Sequence, residues 1–162
     1  MPQLQISTTF CMDAPPMKIL LVEDNPDDEV LMLRELQRQS DDGDEDQIME
    51  VHVARDGAEA VDYIFGRGEH EGRDPADWPT ITLLDMKLPK LSGLDVLRQI
   101  RADPRTARMP VVIFTSSDEQ KDIADSYDLG VNSYVRKPTN HNEFVEAVRT
   151  LRQYWTRINR NE

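Results

Sequence analysis

The stretch Met17-Lys18-Ile19-Leu20-Leu21-Val22-Glu23-Asp24-Asn25-Pro26 decides the fold. A short continuous apolar run reads as a strand buried on both faces, which is the habit of parallel sheets. The run stops at two acids, and Asn25-Pro26 supplies an N-cap followed by the first helical residue. Asp27, Asp28 and Glu29 then suit the positive end of the helix dipole, and the helix is expected to run to about Ser40. A strand that turns straight into a capped helix is the first half of a βαβ unit.

The same alternation repeats outward from there. The sequence predicts a second strand near Met49–Ala54, a short helix over Gly57–Phe65 and a polar Gly/Pro loop over Gly66–Pro79. A third strand, Ile81–Leu84, ends at Asp85. A helix over Leu91–Arg101 precedes a fourth strand, Pro110–Phe114, and Ser117–Leu129 reads as a helix opened by a Ser117/Gln120 capping box. Gly130 suits the left-handed residue that closes it. Ser133–Arg136 is a fifth strand and His141–Ile158 a last helix, while the acidic run Asp41–Asp46 reads as a solvated loop. Five strands alternating with five helices specify an α/β, doubly wound parallel sheet, and the flavodoxin-like order 2-1-3-4-5 is the common five-strand solution.

Composition bounds the function. The chain has 162 residues, with 19 basic and 31 acidic side chains and a formal charge of −12. That balance argues against nucleic acid and against an anionic membrane surface, both of which call for clustered Lys and Arg. Cys11 is the single cysteine, so no internal disulfide forms. Residues 1–16 hold no Lys or Arg and no long apolar run, which excludes a targeting peptide and makes the cytoplasm the expected compartment. The expected organisation is a flexible leader over 1–16, one domain over 17–158, a tail over 159–162 and no effector domain.

In doubly wound sheets ligands sit beyond the carboxyl ends of the strands. The residues there are Glu23 and Asp24, Asp85, Thr115, and Lys137 followed by Pro138. Each alone has an ordinary explanation: helix capping for Asp24, turn chemistry for Thr115, a solvated surface for Lys137. Together they place three carboxylates, a hydroxyl and an ammonium on one edge. Crowded carboxylates take up protons or recruit a cation, and an oxygen-only donor set suits Mg²⁺. A cation, a lysine and a hydroxyl around a central carboxylate make a phosphoryl-acceptor site, with Asp85 as the nucleophile because it ends the middle strand.

The set Glu23-Asp24, Asp85, Thr115 and Lys137-Pro138 resembles the receiver domain of two-component response regulators, the CheY-like fold. Pro89 and Gly93, four and eight residues after Asp85, and Tyr134, three before Lys137, fit the same pattern. The resemblance covers about Met17 to Arg157. It implies that Asp85 accepts phosphate from a phosphohistidine on a sensor histidine kinase. Asp24, Asp85 and the Lys87 backbone carbonyl would hold Mg²⁺, with Glu23 acting through water. Lys137 would pair with Asp85 and then with the phosphoryl oxygens, across a cis bond to Pro138. Thr115 would turn to the phosphoryl group and let Tyr134 rotate inward, changing the face of helix four, strand five and helix five.

Further readings follow from particular residues. The Lys87 side chain either projects into solvent or leans over the acyl phosphate and slows its hydrolysis, and the small Ser116 leaves the entrance open. Phe144, Val148, Leu151, Trp155 and Ile158 form a helical stripe that is core by default. Trp155 and Ile158 lie late in it and are expected at a homodimer contact with the helix-four and strand-five face. The Glu23–Asp28 opening, the Gly66–Pro79 loop and Tyr154-Trp155 are similar to single-domain receivers that partner phytochrome kinases. A phosphorelay intermediate and a chemotaxis-type motility effector are the alternative roles. A haloacid-dehalogenase-type aspartate phosphatase needs an acid where Lys87 stands, and a pseudo-receiver would lack one of the acids or the lysine.

Overall fold

The computed structural model describes residues 16–38, 49–74 and 76–160. The leader up to residue 15, the Asp41–Asp46 run, Cys11 and residues 161–162 lie outside them. The strands are β1 (Met17–Val22), β2 (Met49–Ala54), β3 (Ile81–Leu84), β4 (Val111–Thr115) and β5 (Ser133–Arg136). The helices are α1 (Pro26–Leu36), α2 (Gly57–Phe65), α3 (Gly93–Ala102), α4 (Gln120–Asp128) and α5 (His141–Gln153). All strand pairs are parallel, in the expected order β2-β1-β3-β4-β5.

Strand alternation sorts the core into two layers. Leu20, Val22, Leu84, Val111 and Ile113 pack on one face with Ile64, Val96, Leu97 and Ile100 of α2 and α3. Ile19, Leu21, Leu83, Val112 and Phe114 pack on the other with Met32 and Leu36 of α1 and with Phe144 and Val148 of α5. Each fully buried side chain of this size contributes about 1.5–3 kcal/mol. The register brings the strand ends level: Val22 pairs with Leu84, Leu84 with Ile113, and Thr115 with Arg136. Glu23, Asp85, Thr115 and Lys137 therefore emerge at one edge.

Several boundaries differ from expectation. α1 ends at Leu36 rather than near Ser40, where the Gln37 N–H returns to the Leu33 carbonyl and the polar Gln37-Arg38 offers nothing to bury. α3 begins at Gly93, not Leu91, because the Ser92 hydroxyl accepts the Asp95 N–H and fixes the cap there. β4 spans Val111–Thr115, one residue later than expected. The Ser117/Gln120 capping box is absent: Ser117 Oγ donates to Asp122 Oδ2 at 2.6 Å, and α4 opens at Gln120 behind Glu119. Gly130 does take a left-handed φ of 84°.

α5 gives way to a π-helical turn over Tyr154–Ile158, with the Asn159 N–H on the Tyr154 carbonyl at 2.8 Å. Trp155 is buried in the α1/α5 layer at 6% exposure, whereas Ile158 is 66% exposed. The expectation that Trp155 faces a partner chain is thereby corrected: its ring completes the protein's own core.

Candidate phosphoryl-acceptor site

Glu23 and Asp24 follow β1, and Asp85 follows β3. One carboxylate oxygen from each lies within 4.8 Å of the others, with Glu23 and Asp85 buried and Asp24 exposed. The chain folds tightly behind them. Asp85 Oδ1 accepts the Met86 N–H at 2.6 Å and the Lys87 N–H at 3.4 Å, and Glu23 Oε1 accepts the Asn25 N–H at 3.0 Å. Asn25 caps α1 through the Asp27 and Asp28 N–H groups, as its place before Pro26 predicts.

Lys137 reaches into this cluster and is itself buried. Its ammonium donates to Glu23 Oε2 at 2.7 Å, Asp85 Oδ2 at 2.9 Å and Asp28 Oδ2 at 2.9 Å. Asp28 is the participant that the sequence reading assigned only to the helix dipole. The available signal was its place in the first turn of α1, which starts at the sheet edge. The Lys137–Pro138 bond is trans, not cis as expected, with no cis peptide among the described residues. Trans is the lower-energy form of an X–Pro amide by about 0.5–1 kcal/mol, and from it Lys137 already reaches all three acceptors.

The charges do not balance, and titration reflects this. Burial is the main cause that raises the Glu23 carboxyl, to about 7; Lys137 opposes it and Asp85 reinforces it. Burial on its own would lower the Lys137 ammonium, but hydrogen bonds to Glu23, Asp28 and Asp85 and the Asp85 charge outweigh it and raise Lys137. One ammonium thus cannot satisfy the surrounding carboxylates, and the cluster favours an added proton or cation.

Thr115 is fully buried at the end of β4, and its backbone carbonyl accepts the Lys137 N–H. Its Oγ1 accepts the Ser117 N–H at 3.3 Å, while the Ser117 carbonyl accepts the Tyr134 hydroxyl at 2.8 Å. Ser117 therefore joins the hydroxyl at the site to the aromatic ring of β5. Burial raises the Tyr134 phenol, which keeps it a donor. Ser116 and Lys87 are exposed at the entrance. Pro89 offers its carbonyl to the Gly57 N–H at 3.2 Å. Gly93 lies so close behind Asp85 that a Cβ would stand 2.2 Å from the Asp85 carbonyl oxygen.

No helix among the described residues is long and apolar enough to cross a membrane. The response regulator receiver domain family model matches residues 19–149. Response regulator Rcp1 of Synechocystis sp. is 35% identical over 141 residues, covering 87% of this chain and 90% of that protein. The solved Mn²⁺-bound form of response regulator Rcp1 superposes with a TM-score of 0.81 at 33% identity, covering 91% of this chain and 99% of that one. The phosphorylated cyanobacterial phytochrome response regulator RcpA gives 0.81 at 35% identity, covering 90% and 98%. The bacteriophytochrome response regulator AtBRR gives 0.67 at 42% identity, covering 91% and 100%. With the strand order and the clustered acids in place, the chain belongs to the response regulator receiver family.

Proposed function

We propose that the chain accepts a phosphoryl group on Asp85 from a phosphohistidine of a sensor histidine kinase. The observation that carries this reading is the Lys137 ammonium bridging Asp85, Glu23 and Asp28 at the carboxyl edge of the sheet. A carboxylate oxygen of Asp85 attacks phosphorus, the phosphorus–nitrogen bond breaks, and the neutral imidazole leaves with the electron pair after protonation. Lys137 follows the negative charge onto the new phosphoryl oxygens. Such transfers need positioning and charge stabilisation rather than covalent help from the protein.

The convergent oxygens of Glu23, Asp24 and Asp85, and the raised Glu23 carboxyl, fit a hard dication. Asp24, Asp85 and the Lys87 carbonyl would hold Mg²⁺, with Glu23 reaching it through water. When bound, Mg²⁺ supplies the charge that offsets the carboxylates and the incoming phosphoryl oxygens. Among known relatives the Mn²⁺-bound form of Rcp1 supports a dication in this setting.

Thr115 donates its hydroxyl to the phosphoryl group. Its turn draws on the Ser117 N–H, and through the Ser117 carbonyl releases Tyr134. Output then passes through α4, β5 and α5, and we assign a homodimer contact to that face, to which the exposed Tyr127 of α4 and the exposed Ile158 beyond α5 would contribute. Lys87 and Ser116, both exposed at the entrance, set access of water to the acyl phosphate. A phytochrome kinase is the proposed donor, on the likeness to RcpA and AtBRR, and a cytoplasmic setting goes with it.

The test is phosphotransfer profiling against purified histidine kinases, phytochrome kinases included, with Mg²⁺. Wild-type protein is expected to take up label once per chain, and Asp85→Asn to take up none. Label retained by Asp85→Asn overturns the site.

A further inference from the structure

A second cluster of ligating side chains lies away from the acid edge, where the outer strand β2 meets α2. His52 of β2 pairs in register with Leu20 of β1, so its ring faces the α2 side of the sheet. It stacks on Tyr63 of α2 at 3.9 Å between ring centroids, nearly parallel. The short 3-10 turn Gly68–His70 after α2 brings His70 edge-on to both, 5.1 Å from His52 and 5.2 Å from Tyr63. Glu59 sits in the first turn of α2. Donor atoms of His52, Glu59 and His70 all lie within 4.8 Å of one another.

Ring packing explains the stack but not the choice of histidine. Nε2 of His52 and Nε2 of His70 are both buried without a hydrogen-bond partner. A buried unsatisfied nitrogen is destabilising, a cost that a phenylalanine at either place would avoid. One donor atom of each histidine lies within 4.8 Å of a Glu59 carboxylate oxygen, and an electrophile that takes imidazole lone pairs accounts for the choice of histidine. Glu59 is held in place: Asp56 accepts its N–H at 2.8 Å, and its Oε2 accepts the Arg55 N–H at 3.0 Å. Outer partners of this kind orient metal ligands. The Arg73 guanidinium over the Tyr63 ring adds positive charge nearby, and Glu59 offsets it.

We propose that His52, Glu59 and His70 form a second cation site that takes a first-row transition-metal dication, Zn²⁺ foremost. Two imidazoles and one carboxylate are a borderline donor set that suits Zn²⁺ and is wrong for Mg²⁺. Three protein ligands leave a fourth position for water or a partner's side chain. The ion would tie β2, α2 and the segment after it into one unit, and fix the start of the 66–79 connection on the sheet.

The test uses the full chain with the acid edge saturated by Mg²⁺. Zn²⁺ is titrated by calorimetry and Co²⁺ by its visible absorption. One tight equivalent is expected, with the Co²⁺ spectrum of a four-coordinate nitrogen/oxygen site. His70→Gln and Glu59→Gln should each lose affinity by about 100-fold or more, while Asp85 still takes up phosphate. In the unaltered protein, Zn²⁺ should shift the imidazole NMR signals of His52 and His70 and leave His141 unmoved. No Zn²⁺ binding under Mg²⁺, affinity unchanged in both variants, or a shift confined to His141 overturns the proposal.

Discussion

Lys137 is one ammonium with three carboxylate partners, and that imbalance sets how the cluster answers pH and metal. Replacing Lys137 by Met leaves Glu23 and Asp85 buried together without a counter-charge. Loss of one partner from a buried ion pair costs about 3–5 kcal/mol, and Mg²⁺ should restore much of it. Urea unfolding with and without Mg²⁺ measures this; an equal Mg²⁺ increment in both proteins defeats the charge argument. The pH dependence has a definite sign. Glu23 is raised above its ordinary 4.5, to about 7, so the metal-free fold holds this proton more tightly than the unfolded chain. That contribution is full below 4.5 and is lost as pH climbs through about 7. Melting curves across this window should fall more steeply for wild type than for Glu23→Gln, and the Mg²⁺ increment should grow as the proton leaves. Asp24, Asp85, Thr115 and Lys137 were legible in the sequence because each stands at or just past the carboxyl end of an expected strand. Asp28 was not, since its partner lies 109 residues away and only the fold brings them together.

At the scale of elements, the chain behind Asp85 is packed from below by the start of α3. Gly93 is there because its Cα stands against the Asp85 carbonyl, and its N–H bonds the Met86 carbonyl at 2.8 Å. Gly93→Ala should destabilise the protein by about 1–3 kcal/mol by overpacking and slow phosphorylation by displacing Asp85; urea midpoints and labelling rates read both. Unchanged values would mean that the α3 start has slack. Element type was readable throughout from period and punctuation, and β2, α2, β3 and β5 span the residues expected. The two misplaced helix starts share a cause. At α3 and α4, more than one polar residue could have capped the helix, and local side-chain bonds made the choice: Ser92 with Asp95, and Ser117 with Asp122. Trp155 shows the same limit, since helical spacing puts it on the core stripe but does not say how far along the helix the sheet still reaches.

At the scale of the molecule, the sheet separates two apolar layers that share no side chain among the described residues. Ile100→Val in the α2/α3 layer and Phe144→Leu in the α1/α5 layer should therefore cost stability independently. Their double mutant should equal the sum to within about 0.5 kcal/mol, by thermal or urea unfolding. A larger coupling would mean that the strands transmit strain between the layers. Every strand alternates between the layers, as at β5, where Tyr134 belongs to one and Val135 to the other. Such a partition is a licence for divergence. A lineage can rewrite the α1/α5 side while the opposite side keeps its packing, and an engineer can graft one side without retuning the other. The edge where the strands end is common to both, and its acids and lysine are what neither revision can touch.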